Sequence, residues 1–444
     1  MSAVADPSAA AALAARSHAL RANLRWTVAG NVAYAACQWG MLVLLARLGT
    51  PDLVGDFAFA LALAAPIVLF AMLNLRAAQA TDRRREFAFG DYVRLRIACL
   101  AAAALVLAAI VVCGRFDRTT AWTVALVGIA KAFDAMSDVV YGLLQQRESM
   151  RRIAVSRVLQ GTLQLAGVAA ALVATGSVVA AAGAMAAMSA AVTLGYDVAS
   201  VRLQREGGAP LGAAARSALA SGSWDFPKLA RLAALALPLG LAAVLDAVNA
   251  SVPRWALDAY SGRAALGIYA AVAYFLVGQG TVLTAVADVV RPRLARDFAE
   301  SPEDFWRLVA RLAAVAAACG VAGVAVAAAF GGELLRLLYG SAYAGQGTLL
   351  AWMMAIAIPW NLSGIATTAI GAARRFRSVS ACFAVMTAVT AAASLLLVPS
   401  HGALGAAWAL GAGMAARLAV ACRLLARLRA PVAVRSALVA AGAR

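Results

Sequence analysis

The sequence predicts an all-α polytopic membrane protein of about twelve transmembrane helices. Three observations carry that expectation. Of 444 residues, 64% are hydrophobic and only 14% charged, with a mean hydropathy of +0.82, whereas a soluble domain is nearer half apolar and a quarter charged. The apolar residues gather into runs of roughly 20, the length a helix needs to cross a hydrocarbon core of about 30 Å. Those runs are continuous Ala/Leu/Val segments, without the period-two alternation of barrel strands.

In chain order the spans are expected near 26–47, 54–75, 97–114, 120–144, 158–175, 178–200, 232–252, 267–290, 312–331, 348–371, 379–398 and 404–422. Residues 1–25 form a cytoplasmic N-terminal segment. Its "AALAARSHALRANLR" is either a basic amphipathic helix lying on the inner surface or a frayed end. The first apolar run lacks a following cleavage site, so no signal peptide is expected.

The connection at 201–231 contains "REGGAPLGAAARSALASGS" and reads as a mobile cytoplasmic linker. It divides the chain into a bundle at 26–200 and a bundle at 232–425, with six spans each, followed by a cytoplasmic tail at 426–444. Transporters are often built from two such halves. Two echoes support duplication. "LGTPDLVGDFAFALA" after the first span matches "YSGRAALGIYAAVAY" after the seventh: a Gly or Ser, a Gly six positions later, then an aromatic and Ala. "YGLLQQRESMRRIAVSR" after the fourth span likewise matches "AIGAARRFRSVSACF" after the tenth.

The net charge of +18 points to topology rather than to nucleic acid. Of 39 Lys and Arg, 31 fall in alternate connections. Six fall on the other side (Arg47, Arg115, Arg118, Arg254, Arg263 and Arg336), and Lys131 and Arg417 lie inside spans. That is the positive-inside pattern of a multi-pass membrane protein with both termini cytoplasmic. The arginines of "LNLRAAQATDRRREFAFGDYVRLR" then face the cytoplasm and anionic headgroups.

No enzyme chemistry is visible. The six cysteines lack a C-x-x-C pair and there are two histidines, so neither metal site nor cofactor is expected. Walker A, G-x-S-x-G and H-E-x-x-H patterns are absent, which argues against an ATP-driven pump. The less basic side carries only short connections, the longest being "PRWALDAYSGRAALG" and "GELLRLLYGSAYAGQG". They leave no room for the external acceptor domain of a glycosyl polymerase.

The stretch "GNVAYAACQWGMLVLLARLGTPDLVGDFAFALALAAPIVLFAMLNLRAAQATD", with "FGDYVRLR" and "LYGSAYAGQGTLLAWMMAIAIPWNL", resembles bacterial polysaccharide and oligosaccharide flippases. These belong to the multidrug/oligosaccharidyl-lipid/polysaccharide (MOP) exporter superfamily. The resemblance spans essentially the whole chain, without the two additional helices common in the lipid II flippase branch. It implies two six-helix bundles around a central cavity, with helices one, two, seven and eight lining the cleft. The cargo it implies is a polyprenyl-pyrophosphate-linked oligosaccharide, moved outward by alternating access for surface polysaccharide assembly. A polysaccharide polymerase and a chain-length regulator are then candidate partners. Two other functions compete: a multidrug or small-cation antiporter of the same superfamily, and a membrane enzyme of polysaccharide assembly.

Polar residues inside the spans are the candidate site. Lys131, Asp134 and Asp138 are spaced i, i+3, i+7, sharing about 60° of one helical face, and Tyr141 and Gln145 extend the stripe. An unpaired charge at mid-membrane costs roughly 2.5–3.5 kcal/mol on insertion scales. Lys131 is one of two lysines beside 37 arginines. The stripe is either a self-neutralising structural network or a substrate- or proton-linked site, with Asp134, Asp138 and Asp246 the coupling candidates. Asn31, Tyr34 and Gln38 repeat the same spacing, and Asn249 follows Asp246 by one turn. Amides there either bind sugar hydroxyls or hold helices together. A pyrophosphate needs cations, and Arg supplies permanent bidentate donors. Arg25 and Arg76 at the inner ends of spans one and two, and Arg47 and Arg254 at the outer ends of spans one and seven, are the phosphate-contact candidates. Arg417 is placed to snorkel to the inner interface.

Overall fold

The computed structural model describes residues 7–82, 86–202, 205–206, 209–210, 224–373 and 375–442. The described chain is helical apart from turns and a two-residue antiparallel ladder, Arg205–Glu206 with Ala209–Pro210. The helices are α1 (Pro7–Leu48), α2 (Pro51–Met72), α3 (Leu75–Thr81), α4 (Phe89–Cys113), α5 (Arg118–Gln146), α6 (Met150–Thr175), α7 (Val178–Ala191), α8 (Val198–Arg202), α9 (Phe226–Glu300), α10 (Pro302–Tyr339), α11 (Gly347–Ala372) and α12 (Phe376–Gly442). A π-helical segment, Val192–Asp197, joins α7 to α8, and a 3-10 turn, Ser341–Gln346, joins α10 to α11.

Among the described residues, nine helices are long and apolar enough to cross a membrane. Two of them hold two legs each. α9 turns back at Gly262 (φ 81°) and α12 at Gly402 (φ 52°), left-handed conformations that glycine adopts without a Cβ penalty. α5, whose charges dilute its hydropathy, adds another leg. The described residues thus give twelve membrane-crossing legs. Leu105, Val112 and Leu396 are 73%, 77% and 76% exposed. Such apolar surface suits lipid and would not suit water.

Local sequence sets the helix ends. Thr50 caps α2, its hydroxyl accepting from the Leu53 N–H at 3.3 Å, with Pro51 in the first turn, where its missing N–H costs nothing. Asp117 and Ser177 cap α5 and α7 in the same way. Between α2 and α3 the chain breaks at Leu73 and Asn74, both left-handed at φ 48° and 51°. Residues other than glycine are strained there.

One end of the bundle carries the basic connections and is called the basic face here; the other is the opposite face. The first apolar core joins α1, α2, α5, α6 and α7 to α9–α12. Smaller clusters lie at the basic face: one seats Leu229, Leu232 and Ala236 of α9 against Leu73, Leu75, Tyr92 and Leu95.

The helices start earlier than the apolar runs suggest. α4 begins at Phe89 and α6 at Met150, so Arg94, Arg96 and Arg157 lie in helices rather than connections. α1 runs unbroken from Pro7 into the first span, and α9 takes up the end of the expected 201–231 linker; residues 211–223 of that linker lie outside the described residues.

Candidate functional site

Midway along the legs, polar side chains from α1, α5, α6 and α9 converge. Lys131 pairs with Asp134 at 3.0 Å. The Asp134 carboxylate also accepts from the Gln160 amide and, at 3.4 Å, from the Gln164 amide. Gln164 accepts in turn from Gln38 of α1 at 2.8 Å and donates to Ser189 of α7 at 2.7 Å. A lysine in hydrocarbon is tolerable only with such partners.

These groups are not sealed. Lys131 and Asp134 keep 21% and 17% of their side-chain surface, although they lie near the middle of a 29-residue helix. From the second half Tyr274 comes within electrostatic reach of Tyr34, Lys131 and Arg254. Arg254 is half-buried and its Nε has no hydrogen-bond partner. Arg157 of α6 lies between two rings, 4.8 Å from the centroid of Tyr34 and 5.2 Å from that of Tyr141. Its Nε is also without a partner. Three cations, several amides and phenols therefore border the seam between the halves, where an anion with hydroxyl groups can be bound.

The predicted Lys131–Asp134–Asp138 stripe divides in two. Asp138 turns away from Lys131 and pairs with Arg96 at 3.3 Å and Arg76 at 3.7 Å. Arg96 is wholly buried. Arg76 accordingly sits in a structural network, also donating to Gln145 at 2.9 Å and resting over Tyr141. Arg47 donates to the carbonyls of Leu338, at 2.9 Å, and Leu337. It caps the C-terminal end of α10, where carbonyls are unpaired and a cation is favoured. Arg25 and Asn31 are exposed on α1. Arg254 lies eight positions before the Gly262 turn, inside its leg rather than at its end.

Asp246 faces Arg417 electrostatically, and Asn249 is buried with its Oδ1 unpartnered. Arg417 does not snorkel: it is 5% exposed, donates to Thr367 at 3.0 Å and stacks on Phe383 at 4.1 Å. The reason is local. Its neighbours on α9, α11 and α12 supply a carboxylate, a hydroxyl and a ring that an interface position would forgo.

This arrangement of two helical halves with polar residues at their seam has counterparts. Residues 20–298 match the family described as "Polysaccharide biosynthesis protein". The chain belongs to that family. The capsular polysaccharide biosynthesis protein CapF of Staphylococcus aureus is 25% identical over 400 residues, covering 87% of this chain and 94% of CapF. Among solved structures, an inward-facing multidrug resistance MATE family transporter of the MOP superfamily superposes with a TM-score of 0.67 at 13% identity, over 92% of this chain and 94% of that one. Lipid II flippase MurJ, in an inward closed conformation, gives 0.63 at 11% identity, over 92% and 87%. The fold of this family member is thus that of MOP superfamily transporters.

Three residues of this family member escaped the sequence reading. Arg96 and Arg157 were counted among topological arginines, yet Arg157, Gln160 and Gln164 share the i, i+3, i+7 spacing that exposed the α5 stripe. Asp197 gives no periodic signal, because it ends a π-helical segment that breaks the 3.6-residue register.

Proposed function

We propose that the chain is a flippase that moves a polyprenyl-pyrophosphate-linked oligosaccharide across the bacterial inner membrane for surface polysaccharide assembly. The observation that carries this reading is the seam itself. Lys131, Arg157 and Arg254 supply positive charge to a pyrophosphate, while Gln38, Gln160, Gln164, Tyr34 and Tyr274 supply hydrogen bonds to sugars. Membership of a polysaccharide biosynthesis family and likeness to a lipid II flippase point the same way. A cation antiporter would favour acidic lining, and three cations against Asp134 disfavour it.

Alternating access would bring the seam first to the basic face, read as cytoplasmic with both termini, and then to the opposite face. Transport requires differential affinity in those two states rather than tight binding in either. Polymerase and chain-length regulator would act on the delivered unit. Orientation is checked with Glu86→Cys, which should resist labelling by an impermeant thiol reagent in intact cells.

The decisive substitution is Lys131→Ala against Lys131→Arg, scored by complementation of surface polysaccharide. Lys131→Ala should lower export at least about tenfold, equivalent to ~1.4 kcal/mol, with Lys131→Arg closer to wild type. Wild-type export by correctly inserted Lys131→Ala protein would overturn the reading.

A further inference from the structure

Asp134, Asp138 and Asp246, the carboxylates first considered for coupling, each have a cation beside them. Asp197 differs in sharing its cation: it is 0% exposed, its polar neighbours are the Ser137 and Ser156 hydroxyls, and the guanidinium facing it, Arg157, also lies between the rings of Tyr34 and Tyr141. A buried carboxylate in that condition is costly as an anion, and its cost is relieved by a proton or by the approach of a cation.

The surroundings are built to permit both. The π-helical segment Val192–Asp197 inserts an extra residue that turns the following helix by about 100°. It brings Thr193 and Asp197 against α5, with the Thr193 hydroxyl 2.9 Å from Ser137. Ser137 of α5 and Ser156 of α6 neighbour the carboxylate, and the charged or titratable groups facing it are Arg157 of α6 and Tyr141 of α5. Tyr141 and Ser156 are hydrogen-bonded to one another at 2.7 Å, forming a hydroxyl pair able to pass a proton. One turn nearer the basic face, Arg152 is engaged by the Ser200 carbonyl at 3.2 Å. On its other side, Ser137 bonds Thr193, whose hydroxyl donates to the Ser189 carbonyl; the separate Ser189 hydroxyl accepts from Gln164, which also reaches Asp134 at the seam.

We propose that Asp197 is a proton-binding site, and that its occupancy sets whether Arg157 serves the carboxylate or an anion in the seam. A proton taken from water forms an O–H bond on Asp197 and removes its claim on Arg157. The guanidinium, held between Tyr34 and Tyr141, is then free for the anion. When the O–H bond breaks and the proton returns to water, on the other face in a full cycle, the carboxylate competes with the anion for Arg157. Proton binding at Asp197 stands without any assumption about cargo; the competition for Arg157 rests on the anionic cargo proposed above.

The test uses purified full-length protein in liposomes of phosphatidylethanolamine and phosphatidylglycerol. Infrared difference spectra across a pH titration should show a protonated-carboxyl band that Asp197→Asn removes, Asp197→Glu displaces and Asp134→Asn leaves in place. A band unchanged in Asp197→Asn overturns the proposal. If Asp197→Asn fails to fold, Ser156→Ala and Tyr141→Phe replace it: each should shift the same band, and invariance in both is equally fatal. Calorimetry with inorganic pyrophosphate, in buffers of different ionisation enthalpy, tests the linkage. Wild type should take up about one proton per pyrophosphate bound and Asp197→Glu a different fraction at the same pH. Binding without proton uptake overturns the competition for Arg157. Absence of pyrophosphate binding beside an Asp197-dependent band counts against the anionic cargo alone and supports the proton site.

Discussion

The two ends of the bundle hold the halves together by different means. At the opposite face the closure is backbone against backbone. A Cβ on Gly55 would fall within the Arg263 carbonyl, and one on Gly267 within the Pro51 carbonyl. Around that contact Arg263 bridges Asp258 at 2.7 Å and Asp56 at 3.6 Å and lies over Phe59. The other seam is closed there too, by Arg47 on α10 and by Trp39 donating to the Tyr339 hydroxyl at 2.8 Å. At the basic face the contact is side chain against side chain: Lys228 with Asp91 at 2.6 Å, above the small cluster that receives α9. Tight glycine packing needs two surfaces to match along their length, whereas Lys228 meets the buried Asp91 at a single point, and Asp91 keeps Arg94 at 3.3 Å without it. The difference teaches that this state is locked on one side and only latched on the other.

The comparison breaks most readily at the glycines. Gly55→Leu and Gly267→Leu should each force α2 and α9 apart, with an overpacking cost at the upper end of about 1–3 kcal/mol. They should raise the labelling rate of a Thr50→Cys reporter from the opposite face. Unchanged labelling with unchanged thermal stability would mean that the interlock is not what closes this end.

A smaller effect is expected at Asp117, on the same face. Its carboxylate is held below the usual range, chiefly by the hydrogen bond from Thr120 at the start of α5. A depressed value means that the stabilisation is present above the ordinary aspartate range and fades as pH falls through the lower folded value. Asp117→Ala should therefore cost about 1 kcal/mol at pH 7, with the gap to wild type closing in acid. Melting curves in detergent at several pH values measure it.

The smallest effect belongs to the latch. Lys228→Ala should cost no more than about 1 kcal/mol, yet increase accessibility from the basic face while leaving the Thr50→Cys reporter unchanged. Opening at both faces would show that the ends are not independent.

Much of this was legible beforehand, for identifiable reasons. Length and apolarity predicted the helices. The echo that aligned Gly55 with Gly267 marked, without revealing it, the point where the halves touch backbone to backbone. Lys131, Asp134 and Gln38 could be found because regular helices keep a face in register over seven residues. Boundaries were harder to read, since buried arginines such as Arg96 resemble loop arginines until Asp138 is seen beside them. The surroundings of Arg47 and Arg417 could not be read from the sequence, because their partners lie hundreds of positions or a whole helix away. Asp197 could not be placed at all, since a π-helical insertion has no signature in hydrophobic period.

The glycine bends bear finally on biogenesis. Gly262 and Gly402 each reverse the chain at a single residue, and the bends lie close together, with Gly402 beside the Ser261 hydroxyl. Legs joined so tightly leave no polar loop to be translocated ahead of the returning leg. Each pair is suited to enter the bilayer as one hairpin. For the first of these the leading edge carries Asp258 and Arg263, already paired at 2.7 Å, so their charges would cross as a neutral couple rather than separately. Asp258→Ala should then delay integration of this hairpin during cell-free synthesis into membrane vesicles, measured by protease protection, while Asp258→Ala with Arg263→Ala should restore it; equal rates for both would show that the charges cross independently.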